Sequence, residues 1–341
     1  MHSDSIYKSA IRNFINMFFK IMGGFFAIVI LLIGFSSVAS TSAERKTVTA
    51  VLPNHEWKAG PFSPTKPTLL QIPIVGPIGF TKHLVKENMF SIFQDLHSLQ
   101  MPPETLKGLL LYINSPGGTS DDSDTIFRMI LEFKKQTKLP VYAYIDGMCA
   151  SGGLMISLAA DTIIASTPSR IGSVGVIMPT AFNFSKAMQQ FGIESKTLYA
   201  GKSKDELNPF RPWAANEAQN IQDHINAYYD RFVHLVATHR PMLTEKAIRQ
   251  EGANIFSAEK ALEFGFIDEI DDSYMHALEK ISSSLDLTDY QVIELRPEMS
   301  FNDLLGARVN SMFQTTFNQL FGGTTSLADP NKPLYLHSPC P

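Results

Sequence analysis

Two glycine-rich turns, NSPGG at 114–118 and ASGG at 150–153, each close a short apolar run and open a segment with helical apolar spacing. A strand that turns sharply into a helix needs that helix as a crossover before the next strand, so consecutive strands pair in parallel. The same rhythm extends beyond the turns. The run TLLQIPIVGPI at 68–78 reads as a buried strand, and Pro73 and Pro77 within it predict a sheet edge or an early end. Val85, Met89, Ile92, Phe93, Leu96 and Leu99 then recur at helical spacing, as do Ile126, Met129, Ile130 and Phe133 after the first turn. Apolar runs predict further strands at 109–113, 140–145, 162–165 and 174–178 and a short helix over 155–160, and another strand is expected at 196–198. From Ala214 onward the pattern is mostly helical: Ile221, Ile225, Tyr228, Phe232 and Leu235 mark a long amphipathic helix, with shorter ones at 244–251 and 257–264. A strand at 290–295 and an amphipathic helix through Leu305, Val309, Met312, Phe313, Phe317 and Leu320 complete the reading. This is an α/β chain with a mainly parallel sheet covered by helices.

The N-terminus adds a different constraint. Residues 21–39, IMGGFFAIVILLIGFSSVA, carry no charge, and about 19 residues at ~1.5 Å each reach about 28 Å, the thickness of a bilayer core. Lys8, Arg12 and Lys20 precede this span, so the positive-inside bias keeps the N-terminus in the cytoplasm and exports the rest. The small residues Val38, Ala39 and Ser40 leave open a cleaved signal peptide, with the same destination for the chain. The Pro-, Thr-, Ser- and Lys-rich stretch up to Pro67 reads as a linker.

A net charge of −4, from 29 Lys plus Arg against 33 Asp plus Glu, lacks the clustered cations of a nucleic-acid surface. The two cysteines, Cys149 and Cys340, have no paired spacing that would indicate a zinc site or a disulfide framework. No metal or other cofactor is expected.

A strand-turn-helix with glycines presents backbone N–H groups at a helix start, where developing negative charge is stabilised. Two such turns in successive units converge at the carboxyl ends of a parallel sheet. Ser151 lies inside the second, with Gly152 allowing close approach of a substrate, which is where a nucleophile belongs. The alternative is that Ser151 only caps the helix, the commoner role for a serine there. A nucleophilic serine needs a base. His224, His234 and His239 fall on the long helix and read as packing or solvated residues, whereas a lysine serves if burial favours its neutral form. Lys202 and Lys204, in AGKSKDELNPF, are the candidates, with ordinary surface lysines as the alternative.

The blocks LYINSPGG, MCASGGLMISLAAD, RIGSVGVIM, GKSKDELNP and FSAEKALEFGFIDEID occur in this order over about 69–271. In order and spacing they resemble the signal peptide peptidase A, or protease IV, family: membrane-anchored serine proteases with a Clp-protease/crotonase-like fold of repeated strand-strand-helix units and a Ser-Lys dyad. The resemblance implies Ser151 as nucleophile, Lys204 as base with Lys202 as runner-up, and Ser173 as the residue that orients the lysine. It also implies an oxyanion hole from Gly118, supplemented by the N–H of Gly152. Leu154 and Met155 stand where the family commonly has aromatic residues, and Cys149 where it usually has a small apolar one, so no cleavage preference carries over. A single copy of each motif is similar to the short members, which assemble into homo-oligomers.

The expected organisation is a cytoplasmic N-terminus at 1–20, a transmembrane anchor at 21–39, a linker at 40–67, a peptidase domain at 68–295 and a C-terminal helix and tail at 296–341. The expected partners are peptide substrates, including cleaved signal peptides, membrane lipid through the N-terminal helix, and further copies of the chain, with no nucleic acid. The expected site is a bacterial inner or plasma membrane, spanned once, with the catalytic domain outside the cytoplasm. Two rivals remain: a crotonase-type acyl-thioester enzyme, which stabilises an oxyanion with similar turns, and a non-catalytic membrane scaffold.

Overall fold

Alternation along one strand explains the architecture. In the strand β3 (Leu106–Ser115), Leu109, Leu111 and Ile113 enter one apolar cluster, and Leu110 and Tyr112 enter another on the opposite face of the sheet. Both faces are therefore covered, which is why its sequence is a near-continuous apolar run. The computed structural model describes residues 47–99 and 101–297, together with Met17. The apolar span at 21–39, the amphipathic pattern at 305–320 and Cys340 lie outside the described residues. Among the described residues no helix is long and apolar enough to cross a membrane.

Eight further strands join β3: β1 (Thr47–Leu52), β2 (Thr68–Val75), β4 (Val141–Ala150), β5 (Thr162–Ala165), β6 (Arg170–Gly172), β7 (Ile255–Ser257), β8 (Glu269–Ile270) and β9 (Gln291–Pro297). Their order is β1-β9-β2-β3-β4-β5-β8, with β6 beside the end of β4 and β7 beside β6. All neighbours are parallel except β1 with β9 and β6 with β7. The helices are α1 (Lys86–Ser98), α2 (Ser120–Thr137), α3 (Gly152–Ser157), α4 (Ser185–Gln190), α5 (Gln219–His239), α6 (Glu245–Glu251), α7 (Ala258–Phe264) and α8 (Tyr274–Ser284). Apolar residues of α1, α2, α3 and α5 share the cluster with Leu109 and Leu111, whereas Leu278 and Ile281 of α8 pack with Tyr112 and Tyr144 on the other face. Asp124 of α2 accepts from Arg231 of α5 at 2.6 Å and also pairs with Arg128, tying the long helix down.

The strand β4 changes partner midway. Tyr142–Ile145 pair with β5, whereas Met148–Ala150 pair with β6. At the break, Met148 N–H donates to Asn114 Oδ1 (3.1 Å) and Gly147 N–H to Ser169 Oγ (3.2 Å), so side chains satisfy the groups the ladder leaves free. This redirects the end of β4, and with it the second glycine turn.

Several expectations need adjustment. The strand β2 is flanked by β9 only over Thr68–Gln71, so Pro73 lies where one side is open and the strand ends before Pro77. It is thus internal at its start and an edge at its end. No strand forms over 174–178 or 196–198: among the described residues no strand pairs with them, and Ile177 and Leu198 are 88% and 84% exposed. An apolar run without a ladder partner has nowhere to bury its side chains. Part of the stretch read as a linker is a strand, β1, on the edge of β9. The short helix starts at Gly152, ahead of the expected 155.

The junction between α5 and β8 depends on Arg240, which is buried and donates to Gly265 O (2.7 Å) and to both oxygens of Asp268 (3.0 and 2.7 Å). Asp268 also accepts from Ile163 N–H of β5 at 2.8 Å. Arg240→Met should therefore lower unfolding stability by about 2–3 kcal/mol in urea titration, since it orphans a carbonyl and half of an ion pair. Lys260→Met, at an exposed pair with Glu263, should cost less than about 1 kcal/mol.

Candidate active site

Ser151 follows directly on the last pair of β4 and β6, Ala150 with Gly172. Its backbone sits at φ 52°, ψ −118°, a conformation that costs an L-residue on the order of 1–3 kcal/mol and must be held by its surroundings. Two hydrogen bonds hold it: Ser151 N–H donates to Gly172 O (2.9 Å), and Ser151 O accepts from Met155 N–H of α3 (3.0 Å). The side chain accepts no capping bond from α3, so the helix-cap reading of Ser151 is excluded. A strained strand-to-helix turn of this kind lifts a hydroxyl clear of the backbone. Gly152 heads α3, where the helix offers its N–H no acceptor.

The first glycine turn packs onto the second. A Cβ on Gly117, whose φ is 93°, would lie 2.7 Å from Ser151 Cβ and 2.8 Å from Gly152 N. Gly118 lies flush against the loop after β2: a Cβ there would sit 1.9 Å from Ile78 O. Ile78 uses both backbone groups in this contact, donating to Gly117 O (2.9 Å) and accepting from Thr119 N–H (3.1 Å). In a parallel bridge that pattern turns the amide of the middle residue, Gly118, away from Ile78 and toward the β4 side. Ser115, fully buried, fixes the turn by donating to Gly76 O (2.7 Å) and accepting from Gly117 N–H (3.1 Å). Gly152 thus follows Ser151 directly, and Gly117, which packs on the Ser151 turn, places Gly118 one residue further on.

Ser173 follows the carbonyl that receives the Ser151 amide. It too has positive φ, 58°, and its N–H donates to Asn254 O at 2.7 Å. Gly172 is required beside it, because a Cβ would approach Asn254 O to 2.4 Å. Ser173 therefore lies next to the residue that holds Ser151, as Gly118 lies next to the residue that packs on it.

Among the described residues no hydrogen bond or ion pair joins Lys202 or Lys204 to them. Both are exposed, on an excursion between Ser173 and α5 whose bonds run largely to itself. Phe184 N–H donates to Pro209 O (2.7 Å), Asn183 Nδ2 to Arg211 O (2.8 Å) and Ser195 Oγ to Phe210 O (2.8 Å). Arg211 clamps its tip, bonding Asp205 through Nε (2.7 Å) and Glu217 through Nη1 (3.1 Å) and Nη2 (2.8 Å). Glu217 also accepts from Leu207 N–H (2.7 Å) and Ala214 N–H (3.1 Å). The first leg, Leu207 and the start of α5 border a cavity of about 390 Å³, lined by Val176, Met178, Ala181, Leu207, Ile221 and Ile225 among others.

Asn114, Ser115, Asp205, Arg211 and Glu217 had not been singled out from sequence. The only signal was polar residues within or next to the glycine and lysine blocks. His234 pairs with Glu245 at the surface and His239 bonds Leu235 O, so neither approaches Ser151 as a base. Burial pushes the Cys149 thiol up to about 12, which keeps it protonated and unreactive. Among the described residues no group of three His, Cys, Asp or Glu could hold a metal.

A parallel α/β sheet with a strained serine turn between two glycine loops defines a Clp-protease-like protein, and a Clp protease family model matches residues 77–171. The Peptidase family S49 model matches residues 133–287. A putative signal peptide peptidase SppA of Enterococcus faecium is 31% identical over 241 residues, covering 69% of each chain. A putative protease of Methanocaldococcus jannaschii is 36% identical over 191 residues, 56% of this chain and 60% of that one. Protease 4 of Haemophilus influenzae is 30% identical over 171 residues, 49% of this chain and 26% of the relative. The chain belongs to peptidase family S49, the signal peptide peptidase A family.

The clamp should open in acid. Bonds from Arg211 lower Glu217 from its ordinary 4.5 to about 2, and bonds from Arg211 and Asn208 lower Asp205. A depressed carboxylate contributes stability that is complete above its unfolded value and lost as pH falls through the folded one. Trp213, whose Nε1 donates to Asn208 O at 2.8 Å, reports on the tip. In a Trp57→Phe background its fluorescence should change between about pH 4.5 and 2, and Arg211→Met should abolish that transition or move it upward.

Proposed function

We propose that the chain is a serine endopeptidase in which Ser151 attacks the scissile carbonyl and a lysine, Lys204, is the base. The observation that carries this reading is the Ser151 turn itself: a strained serine whose side chain caps no helix, followed by Gly152 and packed against the turn that carries Gly118. Neutral Lys204 takes the hydroxyl proton as Ser151 Oγ bonds to the carbonyl carbon, and the two amides stabilise the resulting oxyanion. Lys204 then gives the proton to the leaving amine, and water, deprotonated by the same lysine, hydrolyses the acyl-enzyme. Ser173 orients the lysine. An acyl-thioester enzyme would need the amides but would leave the strained serine without a use.

The base comes from a neighbouring copy in this reading. Ile177, Phe182, Phe191 and Leu198 are exposed apolar side chains along the excursion, which supports its docking on a second copy in a homo-oligomer. The apolar lining of the cavity beside the excursion suits apolar peptides, and the substrates proposed are remnant signal peptides and other membrane-proximal segments. The span at 21–39 tethers the enzyme, with the catalytic domain outside the cytoplasm of a bacterium.

Ser151→Ala should abolish cleavage of a chromogenic peptide without changing the circular dichroism or melting temperature. Mixing it with inactive Lys204→Met subunits should restore part of the turnover. No recovery in demonstrably mixed oligomers would place the dyad within one chain, and full activity of Ser151→Ala would remove the nucleophile.

Orientation is tested separately. A reporter fused after Pro341 should be active only outside the cytoplasm, and protease added to spheroplasts should digest the domain. A protected domain would reverse the topology.

A further inference from the structure

We infer that Arg211, with Asp205 and Glu217, positions the lysine-bearing turn for catalysis and keeps Asp205 from pairing with the base. The inference rests on the Ser151–Lys204 reading and adds residues that do not touch substrate. Lys204 lies in a tight turn: its N–H donates weakly to Gly201 O (3.4 Å), and Ser203 and Leu207, on either side, both have positive φ (63° and 57°). Such a turn does not hold itself, since two non-glycine residues in the left-handed region disfavour it. What holds it is Arg211. Its Nη2 also donates to Asp205 O, so the guanidinium grips both the backbone and the carboxylate of the residue after Lys204. Glu217, at the foot of α5, grips Arg211 with two oxygens and Leu207 N–H with one, linking the turn to the helix. The planar fork of arginine matches this bidentate geometry and a lysine does not.

The second role is electrostatic. Asp205, Glu206 and Glu217 are the carboxylates around the tip, with Tyr199 and Lys202 also on the excursion, and Tyr199, Asp205, Glu206, Arg211 and Glu217 line one small cavity. A carboxylate next to a catalytic lysine favours its charged, inactive form. Arg211 occupies both Asp205 and Glu217, and among the described residues neither Lys202 nor Lys204 forms an ion pair. Freed from Arg211, Asp205 is the nearest acid in sequence to Lys204.

The test compares steady-state cleavage of one chromogenic peptide by the full-length oligomer carrying Arg211→Met, Arg211→Lys, Glu217→Gln, or Arg211→Met with Asp205→Asn. Misplacing a reacting group by about 1 Å costs ~100-fold. Arg211→Met should lose about that in kcat with KM within about twofold, and the pH at which kcat is half-maximal should move upward. Arg211→Lys should lose less. Adding Asp205→Asn should return the pH midpoint toward wild type while kcat stays low. If Arg211→Met does not assemble, Glu217→Gln supplies the same kcat comparison with a milder change. Wild-type kcat in the assembled variants, or a loss confined to KM, overturns the positioning role. A pH midpoint unmoved in Arg211→Met overturns the electrostatic one. Lys204→Met is the control on the underlying reading: if it retains turnover, the dyad assignment fails, whatever the Arg211 variants do.

Discussion

The close approach of Gly118 to Ile78 is the contact on which the site depends. With Ile78 O standing 1.9 Å from where a Cβ would lie, no other residue fits without moving the loop after β2. Ile78 also spends its own N–H and C=O on the two residues flanking Gly118, so the position and the amide direction of that glycine are set together. Gly117 then rests against Ser151 Cβ, and Ser151 in turn donates to Gly172 O. Four chain segments far apart in sequence are thereby locked in series by backbone atoms. Backbone contacts vary less than side-chain rotamers, which is what the proposed oxyanion stabilisation would need.

The strain at Ser151 has its compensation close by. Both of its backbone polar groups are bonded, and the helix that follows is buried throughout Gly152–Ser157. The break in β4 delivers the turn to this place. Had β4 continued along β5, Ala150 would not meet Gly172, and Ser151 would lose the carbonyl that holds it. Asn114 and Ser169 make the break tolerable by filling the ladder's vacant hydrogen bonds.

Much of this was legible in the sequence because it rests on period and glycine. The strands β3 and β5 and the helices α1, α2 and α5 follow apolar spacing strong enough to read, and both glycine turns announce themselves between a strand and a helix. The short strands β6, β7 and β8 were not legible, since two or three residues carry no measurable alternation and form only because a longer strand offers an edge. The strand β1 was hidden in a stretch whose composition suggested a linker. At 174–178 the residues are apolar enough for a strand, and at 196–198 the run Lys-Thr-Leu is short and mixed, but among the described residues neither stretch meets a ladder. For the site, Ser151 and the two glycines were marked by local motif, whereas the bonding of Arg211 to Asp205 and Glu217 spans six residues each way through irregular backbone and follows no repeat.

The division of the molecule into a rigid serine turn and a self-bonded excursion has a mechanistic consequence under the proposed dyad. The nucleophile and oxyanion donors are preorganised within one copy by buried backbone contacts. The proposed base instead sits on a lobe whose tip is ordered by Arg211, partly exposed, pairing with the largely buried carboxylates of Asp205 and Glu217. Such a lobe holds the shape of its tip while leaving Lys202 and Lys204 exposed, so the lysine of the proposed dyad keeps its water until another surface covers it. A lysine in water stays charged near neutral pH and is no base; covered by apolar groups, it is driven toward the neutral form. Assembly would then do chemically what the single chain does not: desolvate the amine at the moment it meets Ser151. Under the proposed dyad a free copy would hold the serine turn without a desolvated base, and proteolysis would be confined to the assembled state.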